Sequence, residues 1–332
     1  MELISVADQI AKPFFGRPHL VILGAGASIA ALPDGDRYGR SLPVMATLSS
    51  VVGLDELFVA HGLPTPGPSI EAVYSDLVSA GGEPRLLSEL EARVQAYFSV
   101  LELPDEPTLY DHLVLSLRSK DAIATFNWDP FLWQALQRNS EAAPLPKAFF
   151  LHGNVAIGAC TTDKRIGDRR DFCRICGVPF SPLPLLYPVK DKDYATDPVI
   201  AAQWNSFESY LESSYLLTVF GYGAPSTDAK AVELMKAAWH RTGERELEEL
   251  EIIDIRPDQE LAASWNSFIV RNHYRITDSF EHSMMSRWPR RTCEAIYNQF
   301  MMLQLSAENR APRLGCLGDV QEWYQQYTRH EA

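Results

Sequence analysis

Three side chains suited to acid–base and hydrogen-bond chemistry follow apolar runs of this chain. Asn127 and Asp129 come just after residues 122–125, and His152 comes just after residues 148–151. Open α/β sheets place their ligands at the carboxyl ends of such strands, so an amide, a carboxylate and an imidazole are expected in one crevice. The imidazole also titrates near neutral pH, where it can exchange a proton. We therefore treat Asn127, Asp129 and His152 as candidate catalytic residues.

Each of these residues also has a purely structural interpretation. Asn127 is typical of a turn at a strand end, and Asp129 before Pro130 is typical of a helix cap. His152 can be a core histidine that bonds to backbone. The two kinds of role are compatible, since Asp129 can cap a helix and face a ligand as well.

Two glycine-containing turns follow other apolar runs. The first lies at residues 24–28, after residues 19–23, and leads into a helix-compatible segment whose N–H groups and dipole favour a phosphate pair. Ile29 stands where the G-x-G-x-x-G fingerprint requires a small residue, so dinucleotide binding with a different helix–strand packing is predicted. The alternative is a structural turn without a ligand. The candidate ligand-contacting residues are Gly24, Ala25, Gly26, Ala27 and Ser28 in this turn, and Gly221, Tyr222 and Ser226 in a second turn.

Apolar runs alternate with helical patterns, which indicates an α/β fold with a doubly wound parallel sheet in a single domain over residues 1–332. The first two runs are too far apart for one crossover helix, so residues 38–118 are expected to form a helical insertion. Residues 154–200 are rich in proline and charge and predict a small irregular module or lid. The predicted strands are residues 19–23, 122–125, 148–151, 215–220, 250–255 and 268–276, and the predicted helices are residues 41–52, 69–80, 85–101 and 108–117.

Composition limits the classes of partner. Acidic residues outnumber basic ones by 43 to 30, giving a net charge of −13 that argues against a nucleic-acid-binding surface, although arginines cluster at Arg287, Arg290 and Arg291. No apolar run approaches the roughly 18 residues of a membrane-spanning helix, and the first residues show no secretion signal, so we expect a cytoplasmic protein.

Cysteine spacing suggests a metal site. Five cysteines without a secretion signal do not predict a disulfide framework. Cys160, Cys173 and Cys176 lie within the irregular module, and three thiolates there can bind structural zinc if a fourth ligand such as Cys293, Cys316 or a histidine joins them. The alternative is three reduced cysteines without metal.

The motifs together resemble those of the sirtuin superfamily. The resemblance consists of the Gly-Ala-Gly-x-Ser turn at residues 24–28, Asn127-x-Asp129, His152-Gly153 and the later glycine turn, in the same order from residue 19 to about residue 256. It implies a Rossmann-like, sirtuin-type NAD-binding domain with a helical insertion and a small module that is often stapled by zinc.

The resemblance also implies cleavage of the nicotinamide–ribose bond of NAD. Asp129 would bind the leaving carboxamide, Asn127 would hold the ribose or the attacking water, and His152 would act as general base. Ser28 and the turn amides would hold the pyrophosphate. Asp254 would accept hydrogen bonds from the adenosine ribose.

Departures from the protein deacylases point to a subfamily. The deacylases place Gln and Ile where this chain has Phe126 and Trp128, and they carry a peptide-pairing Phe-Gly-Glu segment that residues 177–200 lack. The sequence looks more like the sirtuin-like effectors of bacterial anti-phage defence, which hydrolyse NAD and would require gating by a partner protein or by homo-oligomer assembly. An NAD-dependent deacylase and a catalytically silent NAD- or ADP-ribose-binding subunit are the alternatives.

Overall fold

A computed structural model describes residues 2–67, 70–79, 81, 84–187, 189, 192–224, 228–241, 243 and 245–331. The strands in this part of the chain are β1 (Glu2–Ile4), β2 (His19–Leu23), β3 (Ala122–Thr125), β4 (Lys147–Phe150), β5 (Ile157–Cys160), β6 (Arg165–Asp168), β7 (Ser181–Pro182), β8 (Leu216–Phe220), β9 (Glu249–Ile253), β10 (Tyr274–Thr277) and β11 (Gln304–Ser306). The α-helices are α1 (Val6–Ala11), α2 (Ala25–Ala31), α3 (Leu48–Val52), α4 (Leu54–Ala60), α5 (Ile70–Ser79), α6 (Pro84–Ser99), α7 (Leu109–Leu115), α8 (Phe131–Asn139), α9 (Pro198–Ser213), α10 (Ala229–Trp239), α11 (Asp258–Ser264), α12 (Met284–Arg287), α13 (Thr292–Met301) and α14 (Leu317–Thr328).

The central sheet has six strands in the order β10-β9-β8-β2-β3-β4, and every neighbouring pair is parallel. The chain runs outward from β2 to β4, returns to the other side of β2 as β8, and runs outward again to β10. This is the strand order of a doubly wound α/β fold, whose ligands lie at the carboxyl edge where the direction reverses. The predicted fold class is confirmed, and the reversal lies between β2 and β8.

The central strands are mostly apolar and are buried on both faces. Every residue of β2, β3, β8 and β9 is buried, as expected of parallel strands covered by helices on both sides. Five of the six predicted strands match within two residues. The sixth differs, because Asn266–Phe268 form a 3-10 helix and the strand begins only at Tyr274.

The predicted insertion contains α3 to α7, between α2 and β3. Helix α4 was not among the predicted helices. Helix α6, with 16 residues, is amphipathic: its buried residues recur at helical spacing and form one stripe against the core, as expected of a helix with one apolar face. These residues are Leu86, Leu90, Val94 and Phe98.

Residues 154–200 contain an antiparallel sheet in the order β6-β5-β7, which the sequence did not predict. Its strands have only four, four and two residues. Strands of this length carry too few alternating positions for a pattern to identify them.

The C-terminal region packs back onto the start of the chain. Strand β11 pairs in parallel with β1. The clustered arginines do not form a basic surface there, because Arg290 and Arg291 are each 1% exposed and both pair with Glu331. Within the described residues, none of the helices combines the length and apolar character needed to cross a membrane.

The two glycine turns meet at the reversal point. A Cβ added at Gly24 would lie 2.5 Å from Gly221 O, and one added at Gly26 would lie 2.8 Å from Gly221 Cα. Gly221 itself has φ +60° and lies against the backbone of residues 26 and 27. Only glycine allows this approach between the start of α2 and the end of β8.

We predict that Gly221→Ala destabilises the protein by about 2 kcal/mol or more, because the new Cβ would meet Ala27 N at 2.4 Å in a left-handed conformation. Gly223→Ala, in the same turn, has open space and is the matched control. Urea unfolding of both variants is the measurement. Equal stability of the two would contradict the account of the turn.

Candidate functional site

A cavity of about 450 Å³ lies at the carboxyl edge of the sheet, above the reversal point. This volume is in the range of small-molecule sites. The helical insertion supplies an apolar wall that includes Leu42, Val44 and Met45. The turns after the strands supply most of the polar groups.

Most predicted site residues line this one cavity. Ala27 is 1% exposed and packs in the core. Ser226 lies outside the described residues. The predicted residues on the cavity wall are Gly24, Ala25, Gly26, Ser28, Asn127, Asp129, His152, Gly221, Tyr222 and Asp254.

Asn127, Ser28 and Asp129 form one buried hydrogen-bond network. The Asn127 amide nitrogen donates to Gly24 O at 2.9 Å and to Ser28 Oγ at 3.0 Å. Ser28 Oγ donates in turn to Asp129 Oδ2 at 2.7 Å. Ser28 therefore fixes the side chains of Asn127 and Asp129 in this structure. Its hydroxyl already donates to Asp129, so it could donate to a pyrophosphate only by breaking that hydrogen bond.

Asp129 has both of the roles considered from its sequence position. Its Oδ1 accepts from Phe131 N at 3.2 Å, which caps the start of α8, and the same side chain lines the cavity. Burial raises the pKa of Asp129 to about 6, although the bonds from Ser28 and Phe131 N oppose the shift. A buried carboxyl group whose pKa is raised in this way is typical of functional sites.

The first glycine turn uses much of its backbone to hold β8. Gly24 N donates to Phe220 O at 3.0 Å, and Gly26 N donates to Gly221 O at 3.0 Å. Helix α2 has only seven residues. The turn therefore acts mainly as the close-packed floor of the cavity. Fewer of its backbone N–H groups are left to bind a phosphate than the sequence predicted.

His152 lies in a second polar cluster, which includes three residues not singled out in the sequence. Its Nε2 lies 3.2 Å from Tyr194 Oη and 3.7 Å from Asp228 Oδ1. Asp228 pairs with Lys192 and accepts from Tyr222 Oη at 2.9 Å. Burial, together with the Lys192 ammonium, lowers the pKa of His152 to about 3, while Asp228 opposes the shift. The imidazole is therefore neutral at physiological pH.

Sequence offered little signal for this cluster. Lys192 and Tyr194 come from the proline-rich segment, whose spacing fits neither a helix nor a strand. Asp228 precedes α10, where an acidic residue is expected as a helix cap.

Aromatic side chains close the space around His152. Phe126 stacks on Tyr222 with ring centroids 4.2 Å apart and meets the His152 ring edge-on at 4.7 Å. Trp128 lines the cavity beside Phe98, and its buried indole N–H has no hydrogen-bond partner among the described residues. The two residues that differ from the deacylase pattern, Phe126 and Trp128, thus shape this wall.

Asp254 lies at the carboxyl end of β9 and lines the far part of the cavity. Both of its oxygens accept from Arg256, with Nη2 to Oδ2 at 2.9 Å and Nε to Oδ1 at 3.2 Å. A ribose hydroxyl would share this carboxylate with the guanidinium.

The three predicted cysteines come together with Asp163, which is the fourth potential ligand in place of Cys293, Cys316 or a histidine. The four ligand atoms lie within 4.8 Å of one another, with Asp163 Oδ2 3.4 Å from Cys160 Sγ and 3.1 Å from Cys173 Sγ. Tetrahedral zinc with bonds of about 2.0–2.3 Å spaces its ligand atoms by about 3.5 Å. Three thiolates and one carboxylate fit zinc.

Comparison with known proteins finds similarity only to solved structures of low sequence identity. No family model and no curated protein matches the chain. Solved structures do match over most of its length. A structure described as the basis for the mechanism and regulation of Sir2 enzymes is 14% identical and covers 90% of this chain and 96% of its own, with a TM-score of 0.39. A Sir2 homologue–NAD complex is 12% identical and covers 97% and 92%, with a TM-score of 0.35. The fold class itself rests on the strand order described above.

We predict that Asp129→Asn stabilises the protein at pH 7.5. The folded-state pKa near 6 exceeds the ordinary value of 3.8, so the folded protein holds this proton more tightly and loses stability as the pH rises through that window. Removing the charge should raise the free energy of unfolding by about 1–2 kcal/mol at pH 7.5, after the loss from weakened hydrogen bonds is subtracted. At pH 4 it should leave the free energy of unfolding unchanged.

Urea unfolding at both pH values measures this effect. Asp121→Asn is the control, because its buried carboxylate has a lowered pKa and its loss should instead destabilise at pH 7.5. A gain for Asp129→Asn that is the same at pH 4 would exclude ionisation as its cause.

We predict that the protein binds about one zinc ion per chain through Cys160, Asp163, Cys173 and Cys176. Cys173→Ser should release the metal and lower the unfolding temperature, because metal binding is coupled to the folding of such modules. Elemental analysis and thermal unfolding measure both effects, with Cys316→Ser, an exposed cysteine outside the cluster, as the control. A metal content that Cys173→Ser leaves unchanged would rule out this site.

Proposed function

We propose that this protein hydrolyses NAD to nicotinamide and ADP-ribose. The observation that carries the proposal is the convergence of Asn127, Asp129 and His152 on one cavity at the reversal point of a doubly wound sheet. An amide, a carboxylate and a neutral imidazole are the groups needed to hold a ribose, fix a carboxamide and accept a proton.

Asn127 is suited to hold the nicotinamide ribose or the attacking water. Its amide nitrogen is committed to Gly24 O and Ser28 Oγ. The amide oxygen is the atom left to accept a bond from a hydroxyl or from water, and the two donated bonds keep it in one orientation.

Asp129 is suited to bind the carboxamide of the leaving group. Each carboxylate oxygen already accepts one bond, from Ser28 and from Phe131 N, and has capacity for a second donor. A carboxamide N–H₂ would supply that donor and turn the nicotinamide ring relative to the ribose.

His152 is suited to be the general base. Nicotinamide leaves as a neutral molecule when its bond to C1′ breaks, and water adds to the oxocarbenium-like ribose. The proton lost by the water, or by a ribose hydroxyl acting as a relay, passes to the imidazole and then to solvent. The neutral form of His152 is the one that can accept it.

The arrangement favours water over an acyl-lysine peptide as acceptor. Leu186 N donates to His152 O at 2.9 Å, so residues 184–186 lie along the backbone beside the base. Phe126, stacked on Tyr222, packs against the His152 ring and takes up further space beside it. A deacylase would need this space for a peptide, and a silent binding subunit would not need both Asn127 and His152.

We further propose a gated role in anti-phage defence in the cytoplasm, which rests on the motif resemblance alone. Unregulated NAD loss would kill the host, so an activating partner protein or self-assembly is expected. A purified monomer that turns over NAD at full rate without any addition would contradict gating.

NAD consumption with product identification tests the hydrolase. We expect nicotinamide and ADP-ribose from the wild type, and a loss of at least about 100-fold for Asn127→Ala and for His152→Ala, since each removes a group acting on the transition state.

His112→Ala is the control, because this partly buried imidazole contacts Tyr324 and does not line the cavity. Deacylation of an acyl-lysine peptide without free hydrolysis would replace the proposal with the deacylase. Binding of NAD without any turnover, even with cell extract added, would favour the silent subunit.

A further inference from the structure

A buried ion pair lies beside His152 and takes no part in the chemistry described so far. Lys192 and Asp228 are each 4% exposed, and both line the cavity. The Lys192 ammonium bonds to Asp228 Oδ1, the same oxygen that lies 3.7 Å from His152 Nε2. One carboxylate oxygen thus faces both a cation and the imidazole.

The second oxygen of Asp228 is also held. Oδ2 accepts from Tyr222 Oη at 2.9 Å, and the Tyr222 ring stacks on Phe126 after β3. Two donors from different parts of the chain therefore fix the carboxylate. It has little freedom to rotate away from His152.

Stability alone does not explain this arrangement. Removing two charges from water costs several kcal/mol per ion, and an apolar pair of similar volume is often at least as stable. The pair also connects separate segments, since Lys192 precedes α9 and Asp228 precedes α10. Its position on the wall of the cavity points to the chemistry of the neighbouring base.

We propose that Asp228 is the positioning residue of the His152 base, and that Lys192 sets how much of the Asp228 charge the imidazole experiences. The proposal rests on the proposed NAD hydrolysis for its purpose, but the coupling between the three side chains can be measured without turnover. Asp228 stabilises the imidazolium as the proton arrives, and Lys192 adds to the effect of burial in keeping the imidazole neutral before the substrate binds.

Within the described part of the chain, four charged or titratable groups lie around His152. Tyr194 and Lys192 face it from the segment before α9, and Asp228 faces it from the turn before α10, with Tyr222 behind. Both tyrosines have a pKa raised by burial and by Asp228, so they stay neutral. Among the residues that the structure describes, Lys192 and Asp228 are therefore the two charges that act on the imidazole, and their effects have opposite signs.

The test follows the His152 ring by NMR of histidine-labelled protein, with its signal assigned by the loss of that signal in His152→Gln. In the wild type we expect no protonation of His152 between pH 5 and pH 9. Lys192→Met should raise the titration midpoint into this range, a shift of at least about two pH units. Adding Asp228→Asn to Lys192→Met should remove that titration again.

Lys120→Met is the matched control, because Lys120 Nζ pairs with Asp121 Oδ1 at 2.7 Å and neither residue lines the cavity. It removes a lysine from another largely buried ion pair and should leave the His152 signal unchanged. The proposal would be overturned if Lys192→Met left the titration midpoint of His152 unchanged. It would also be overturned if His152 still titrated between pH 5 and pH 9 in the double variant.

Turnover separates this inference from the proposed function. If NAD is hydrolysed, Lys192→Met should add an acidic limb to the pH profile of kcat with KM changed less than threefold. If no variant or wild-type protein hydrolyses NAD while the NMR shifts occur as expected, the coupling stands and the proposed function fails. If turnover is normal and the NMR shifts are absent, the function stands and Asp228 is not the positioning residue.

Discussion

The backbone contact between the start of α2 and the end of β8 is the constraint on which the rest of the site depends. Gly24, Gly26 and Gly221 approach more closely than any side chain would allow, and their amides and carbonyls bond across the gap. This contact brings the carboxyl ends of β2 and β8 together at the reversal of strand direction. The floor of the cavity is therefore set by main chain, and neighbouring strands supply the reactive side chains.

Two polar clusters above this floor have different electrostatic character. Asp129 is buried, no cation among the described residues lowers its pKa, and its pKa rises. His152 lies near a buried lysine, and its pKa falls. Burial thus favours the neutral form of both side chains. Ionisation of Asp129 in the folded protein therefore costs stability. In return, both side chains are able to exchange hydrogen bonds and protons with a ligand.

Sequence predicted the parts of this structure that follow from periodicity and from strand ends. Strands β2 and β3 are mostly apolar runs, so they were identified to the residue, and Asn127, Asp129 and His152 followed as the residues after strands. Lys192, Asp228 and Asp163 could not be found in the same way. Their positions depend on how irregular segments fold back in space, and no local pattern in the chain reports that. The same limit explains why Ser28 was assigned to a phosphate while its hydroxyl holds Asn127 and Asp129.

The central claim is that the cavity at the reversal point is the site where NAD is held and cleaved. A crystal structure of the His152→Ala variant grown with NAD tests it most directly, because it does not depend on an activator. We expect the dinucleotide between the two glycine turns, with the nicotinamide carboxamide on Asp129 and its ribose against Asn127. NAD bound elsewhere, or an empty cavity at saturating NAD in a folded protein, would contradict the account.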